Sequence, residues 1–170
     1  RSYSGKFLQS WSTLMVELQS AGIQFAISQK YDPVIYYARN RCLGGDLLKG
    51  EKQLPFQGQT DYDYIMWIDS DIIFKPEHFF KLLQHDKDIV SGLYMMTDLK
   101  HYATVENWDE EYFKKHGNFP FIERADWIGR KGLVSVTSED VSWCHLAKKQ
   151  GWTINVDPEI VVGHEKLMII

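Results

Sequence analysis

The chain has 170 residues, of which 44% are hydrophobic and 25% charged. These are ordinary globular values, and they exclude disordered, collagen-like and disulfide-scaffold classes. With 19 Lys and Arg against 23 Asp and Glu, the net charge of -4 lacks the basic signature of nucleic-acid binding. Apolar residues Phe7, Leu8, Trp11, Leu14, Met15 and Leu18 recur at helical spacing, and Gly22 stops that helix. Ile23 to Ser28 reads as a short strand. Asp32-Pro33 suits a helix start, with Asp as cap and Pro in the first turn. That helix carries Arg39, Asn40 and Arg41 and ends near Gly44-Gly45, before a polar loop from Lys49 to Asp61.

Tyr62 to Ile68 is the clearest strand, a nearly continuous apolar run of the kind buried on both faces. It ends at Asp69-Ser70-Asp71. Ile72 to Phe74 is short and apolar, and Lys75-Pro76-Glu77 opens a helix with Phe79, Phe80, Leu82 and Leu83 on its inner side. Asp88 to Tyr94 is a further strand, broken by Gly92. Residues 97 to 132 are mixed, with a short helix near Glu110 to Lys115. Leu133 to Val136 reads as a strand, and Ser138 caps a helix that runs to Gln150. Trp152 to Val156 and Ile160 to Val162 are short strands. Strands alternating with helices predict an α/β layer fold in one domain. No apolar run is long enough to span a membrane, and the start carries no secretory signal. Cys42 and Cys144 fit no metal-ligand spacing and point to a reducing compartment or to plain core use.

Asp69-Ser70-Asp71 is the strongest chemical signal. In open α/β sheets ligands bind at the carboxyl ends of strands. Two carboxylates one residue apart repel each other unless a cation sits beside them. A hard divalent ion relieves that repulsion and can neutralise the phosphates of a nucleotide; otherwise the triplet is a polar turn ending a strand. His164 follows a short strand, where a neutral imidazole could complete the coordination of a metal held by a carboxylate. As a lone His it could equally be a surface or packed residue. Glu139 and Asp140 stand in a first helical turn, as dipole partners or as a general base for a hydroxyl nucleophile. Arg39 and Lys166 are phosphate partners or solvated charges. Trp67, Trp143 and Trp152 read as core residues, and Trp127, in loop-like sequence, as the better ligand candidate.

The ordered set of motifs resembles the GT-A glycosyltransferases. Tyr64-Ile65-Met66-Trp67-Ile68-Asp69-Ser70-Asp71-Ile72 is similar to their D-x-D strand, and Pro76-Glu77 through Asp88-Ile89-Val90-Ser91-Gly92 continues the likeness. Ser138-Glu139-Asp140-Val141-Ser142-Trp143-Cys144 resembles the acidic motif before the family's last core helix. Gly151-Trp152, Val156-Asp157-Pro158 and Gly163-His164-Glu165-Lys166 match the closing strands and metal histidine, and Ala38-Arg39-Asn40 the early nucleotide-facing helix. The resemblance covers most of residues 5 to 166.

It implies a GT-A (Rossmann-like) single domain with a mostly parallel central sheet flanked by helices. It implies an inverting, metal-dependent transfer of a sugar, glucose or a 6-deoxyhexose such as rhamnose, from a UDP-sugar to a glycan hydroxyl. Mn²⁺ or Mg²⁺ would be bound by Asp71 and His164, with Asp69 helping through water or contacting the ribose. Asp140 would be the catalytic base, with Glu139 the alternative. Arg39 and Lys166 would sit near the nucleotide or phosphates, and Asp98 and Trp127 near the sugars. The members it resembles glycosylate a viral capsid protein, which implies a host-cytoplasmic location and further domains in a larger polypeptide.

Two departures stand out. The family opens with an apolar strand whose end binds the nucleobase, and this sequence starts at or after that point. The family also has a Gly- and aromatic-rich stretch before its acidic motif, whereas here Val136 runs almost straight into Ser138. That implies a first strand and a segment near residue 137 outside the 170 residues. The alternative reading is a non-catalytic sugar- or nucleotide-binding module with a structural cation. A phosphatase of the haloacid-dehalogenase type fits less well, because Ile73 stands where that family has Thr or Val.

Overall fold

The structure is a computed structural model that describes residues 3–50, 52–107, 109–138 and 141–165. In chain order it has helices α1 (Gly5–Ser20) and α2 (Ile35–Cys42), strand β1 (Ile72–Ile73) and helix α3 (Pro76–Gln84). Strands β2 (Ile89–Tyr94) and β3 (Thr104–Val105) and helices α4 (Glu110–His116) and α5 (Arg124–Trp127) follow. Strands β4 (Val134–Ser135) and β5 (Thr137–Ser138), helix α6 (Val141–Lys149) and strand β6 (Ile154–His164) complete the order. The backbone clusters into two compact units, Arg1–Glu17 with Asp69–Ile170, and Leu18–Ile68. Among the described residues, no helix is long and apolar enough to cross a membrane.

In the larger unit β6 is the central strand of a four-stranded sheet. It runs parallel to β2, with Ile89 opposite Ile154 and Tyr94 opposite Val162. It runs antiparallel to β4, Val134 opposite Val156, and to β1, Ile72 opposite His164. β3 and β5 form a separate antiparallel pair. The expected GT-A sheet, mostly parallel and Rossmann-like, is therefore corrected: β2–β6 is the one parallel pairing of named strands.

The reason lies in the smaller unit. Ile23 to Ser28 and Tyr62 to Ile68 are expected as strands, yet neither forms one. Phe25, Ile27, Tyr64 and Trp67 are left exposed. An apolar, β-branched and aromatic run reports how well a segment fits a pleated surface, not whether a neighbouring strand is there to receive it. The elements this unit does form are α2 and two short 3₁₀ turns, Leu47–Lys49 and Pro55–Gly58. The helix starts later than expected. Asp32 Oδ1 accepts from Val34 N at 3.0 Å, an Asx turn, and Val34 is the N-cap.

The core of the larger unit joins Leu93, Tyr102, Trp127, Val136, Cys144, Ile154 and Val156. α6 contributes Cys144 and Ala147 to it and leaves Trp143 exposed. On α1, Phe7, Ser10 and Leu14 line one buried stripe, and Ser10 Oγ accepts from Phe74 N at 3.2 Å, just beyond β1. The tryptophans reverse their expected roles: Trp67, Trp143 and Trp152 are 42%, 46% and 53% exposed, and Trp127 is 2% exposed. The helical and strand patterns around the first three show periodicity, but the pattern does not say which face meets a neighbour.

The two closing strands expected from the sequence are one strand with a bulge. Ser91 faces Val156 and Leu93 faces Val161, so Asp157 to Ile160 have no counterpart on β2. Gly92 does not break β2; it makes room for the bulge. A Cβ at Gly92 would lie 2.5 Å from Ile160 Cγ2 and 2.7 Å from its carbonyl oxygen. Backbone cannot yield there as a flexible side chain would. Gly92→Ala is expected to cost about 1–3 kcal/mol, read as a lower urea midpoint with an unchanged m-value.

Candidate functional site

The site lies where the carboxyl ends of β2 and β6 meet the start of β1. Asp69 begins the turn, its carbonyl accepting from Ile72 N at 3.2 Å. Ile72 and Ile73 then pair with His164 and Gly163. A Cβ at Gly163 would sit 3.2 Å from Ile73 Cβ, so glycine there allows the two strands to close. Beyond the named strands the pairing continues: Glu165 N donates to Asp71 O at 2.8 Å.

This register brings together two of the expected metal ligands. His164 Nε2 lies 3.1 Å from Asp71 Oδ2, across 93 residues of sequence. The His164 side chain is 17% exposed and that of Asp71 48%, so the imidazole is held by protein while the carboxylate faces water. Tyr94, at the end of β2, packs edge-to-face against the His164 ring, with centroids 4.7 Å apart at 71°. One Glu165 carboxylate oxygen, Oε2, is buried and has no hydrogen-bond partner among the described residues.

Asp71 and His164 are of the residue types that ligate divalent cations. An imidazole and carboxylates suit Mn²⁺ well and Mg²⁺ through its oxygens. Among the described residues no group of three or more His, Cys, Asp or Glu side chains already stands arranged around a metal position.

The other expected site residues that are described lie on separate elements. Asp69 is exposed in the turn. Arg39 is on α2, in the smaller unit. Asp98 caps a turn, accepting from Lys100 N at 2.8 Å and His101 N at 3.0 Å and pairing with His101 Nδ1 at 2.6 Å. The His101 hydrogen bond, helped by the two backbone donors, holds the Asp98 carboxyl down at about 2. Trp127 is packed in the core with the Arg130 guanidinium 5.0 Å from its ring centroid, a cation–π contact that occupies a ring face a sugar would need. Glu139, Asp140 and Lys166 lie outside the described residues.

Sequence reasoning passed over Tyr94 and Glu165. Glu165 adjoins His164 in the motif, so its position was visible; that one of its oxygens is buried without a donor was not. Tyr94 closes a strand whose partner, β6, is remote in sequence, and no local pattern pairs it with His164. No family model, curated protein or solved structure matches this chain significantly.

Proposed function

We propose that the chain is a metal-dependent glycosyltransferase that moves a sugar from a UDP-sugar to a glycan hydroxyl with inversion. The observation that carries the reading is the Asp71–His164 pair, 3.1 Å apart with the Asp71 carboxylate half-exposed. A pairing built only for stability gains little from a carboxylate half in water.

Asp71 and His164 would hold the ion, and Tyr94 packs edge-to-face against the imidazole. The bound cation supplies charge neutralisation for the diphosphate that leaves. Asp69, one turn away, stands on the donor side, toward the ribose or a metal-bound water. Lys166 is the proposed phosphate partner. Asp140 takes the proton of the acceptor hydroxyl as its oxygen bonds to the anomeric carbon and the bond to the diphosphate breaks. Glucose and a 6-deoxyhexose such as rhamnose are the proposed sugars.

Calorimetry with UDP, UDP-glucose and GDP-mannose, with and without Mn²⁺, tests the reading. UDP-selective binding that requires the metal is expected. Equal binding with and without metal, or no nucleotide binding in any metal condition, overturns it.

A further inference from the structure

We infer that the cleft lined by Glu106, Asp109, Phe121, Glu123, Asp126 and Arg130 binds the acceptor, as an uncharged glycan, a role that rests on the reading of the chain as a glycosyltransferase. The cleft has a volume of about 640 Å³, within the ordinary range for sites that take small ligands.

One wall is aromatic. Phe121 is half-buried and meets Phe119 edge-to-face, with ring centroids 5.8 Å apart. Phe119 in turn stacks on Phe113 of α4 at 4.8 Å. A row of rings thus fixes Phe121, which offers the cleft an apolar surface for the C–H face of a sugar. Trp127 also borders the cleft, but Arg130 lies over its ring, so Phe121 is the platform.

The polar lining is a set of acceptors. Carboxylates accept hydrogen bonds and donate none, and sugar hydroxyls donate. The protein already engages three of these carboxylates. Asp109 caps α4 by accepting from Tyr112 N at 2.8 Å. An Arg130 guanidinium nitrogen lies 3.8 Å from Glu106, and His101 Nε2 lies 4.0 Å from Glu123. Each carboxylate keeps further lone pairs for a ligand. Acceptors held in place and partly neutralised suit hydroxyl groups better than a bare ammonium. With Arg130 as the one cation of the lining, a phosphorylated, sulfated or uronic-acid glycan is repelled.

Backbone pairing puts the cleft within reach of the metal pair. Tyr94, whose ring packs on His164, ends β2. Its carbonyl accepts from Ala103 N at 3.1 Å, and the preceding residue, Tyr102, donates its N–H to Ile122 O at 2.9 Å. Ile122 borders the cleft. Two pairing steps at ordinary strand spacing are roughly 10 Å, a span that an oligosaccharide bridges.

The test is a titration of uncharged trisaccharides of glucose, xylose and galactose into the full chain, without UDP or metal, followed by amide chemical shifts. Shifts confined to the backbone around residues 120–130 are expected. Phe121→Ala should weaken binding about tenfold or more. Asp126→Asn alters an exposed side chain and should weaken binding at an unchanged melting temperature, which separates loss of the site from loss of the fold. Both variants should bind UDP with Mn²⁺ as the parent does, and in the transfer assay they should raise KM for the glycan more than they lower kcat. Trigalacturonate and trilysine, the charged probes, should not bind. Trilysine binding in place of the trisaccharides marks a basic-peptide site and overturns the assignment. So does trisaccharide binding that ignores both substitutions. UDP binding by a parent chain that takes up no trisaccharide makes the acceptor assignment wrong and leaves the donor reading standing. Trisaccharide binding by a parent chain that binds no UDP overturns the donor reading, and the acceptor role with it.

Discussion

Asp71→Asn is expected to lower metal-dependent sugar transfer by about 10²-fold or more while leaving the fold unchanged. The two halves of that expectation come from different observations. The Asp71 side chain is 48% exposed, and His164 is its one ion-pair partner among the described residues. Neutralising an exposed side chain outside the core usually shifts stability by no more than about 0.5 kcal/mol. The amide keeps the shape of the carboxylate but loses the anionic oxygen that faces His164 Nε2. A metal left with a neutral imidazole and an amide holds a diphosphate poorly. Losing a charge-stabilising contact at a leaving group costs about 10²–10³ in turnover. The measurement is kcat/KM for the UDP-sugar at several Mn²⁺ concentrations, alongside a melting curve. Partial rescue by high Mn²⁺ is expected, because the defect is in metal affinity. Unchanged turnover in a folded Asp71→Asn chain would falsify the metal assignment.

Part of this site was legible in the sequence because its signals are local. Asp69-Ser70-Asp71 follows an apolar run, and His164 follows another, so each could be placed near a strand end without knowing the sheet. That they meet depends on the antiparallel pairing of β1 with β6, a contact between distant segments that no local pattern encodes. Helices α1, α3, α4 and α6 were legible for the same reason, their hydrogen bonds being short-range, whereas α5 (Arg124–Trp127) was not expected. The sheet was not. Tyr62 to Ile68 has the composition of a central strand, but a strand exists only with a ladder partner, and the described structure places none beside it. The tryptophans fail in a parallel way. Trp127 sits in sequence without clear periodicity and is nevertheless packed against Val136, Cys144 and their neighbours in the core. Trp143 lies on an amphipathic helix but on its outer side. Periodicity tells that a helix has two faces, and tertiary contacts choose between them.

The bulge in β6 carries the other large effect, on stability. Asp157 is 1% exposed, on the strand at the centre of the sheet. Its carboxylate is tied to α3 and its C-cap: Lys81 Nζ approaches Oδ2 at 3.1 Å and His85 Nε2 approaches it at 2.8 Å. Glu159 N donates to the other oxygen at 2.8 Å, across the bulge itself. Burial alone pushes this carboxyl up, but hydrogen bonds from His85, Glu159 N and Lys81 more than offset it and hold the group below its ordinary value of 3.8. Asp157→Ala removes the acceptor shared by His85, Glu159 N and Lys81, although Lys81, itself 37% exposed, keeps Glu159 as a partner at 2.9 Å. Losing these buried hydrogen bonds costs about 1–3 kcal/mol, or a fall in melting temperature of roughly 5 °C for a chain of this size. The pH dependence follows from the sign of the shift. A carboxyl depressed in the folded state contributes its stability above the unfolded value and loses it as pH falls through the lower folded value. The gap in stability between the parent and Asp157→Ala should therefore be widest above about pH 5 and close progressively in acid. Chemical denaturation of both chains across acid pH measures it. A gap that stays constant from neutral pH into strong acid would mean that the loss comes from packing alone and that the carboxylate does not anchor α3 to the central strand.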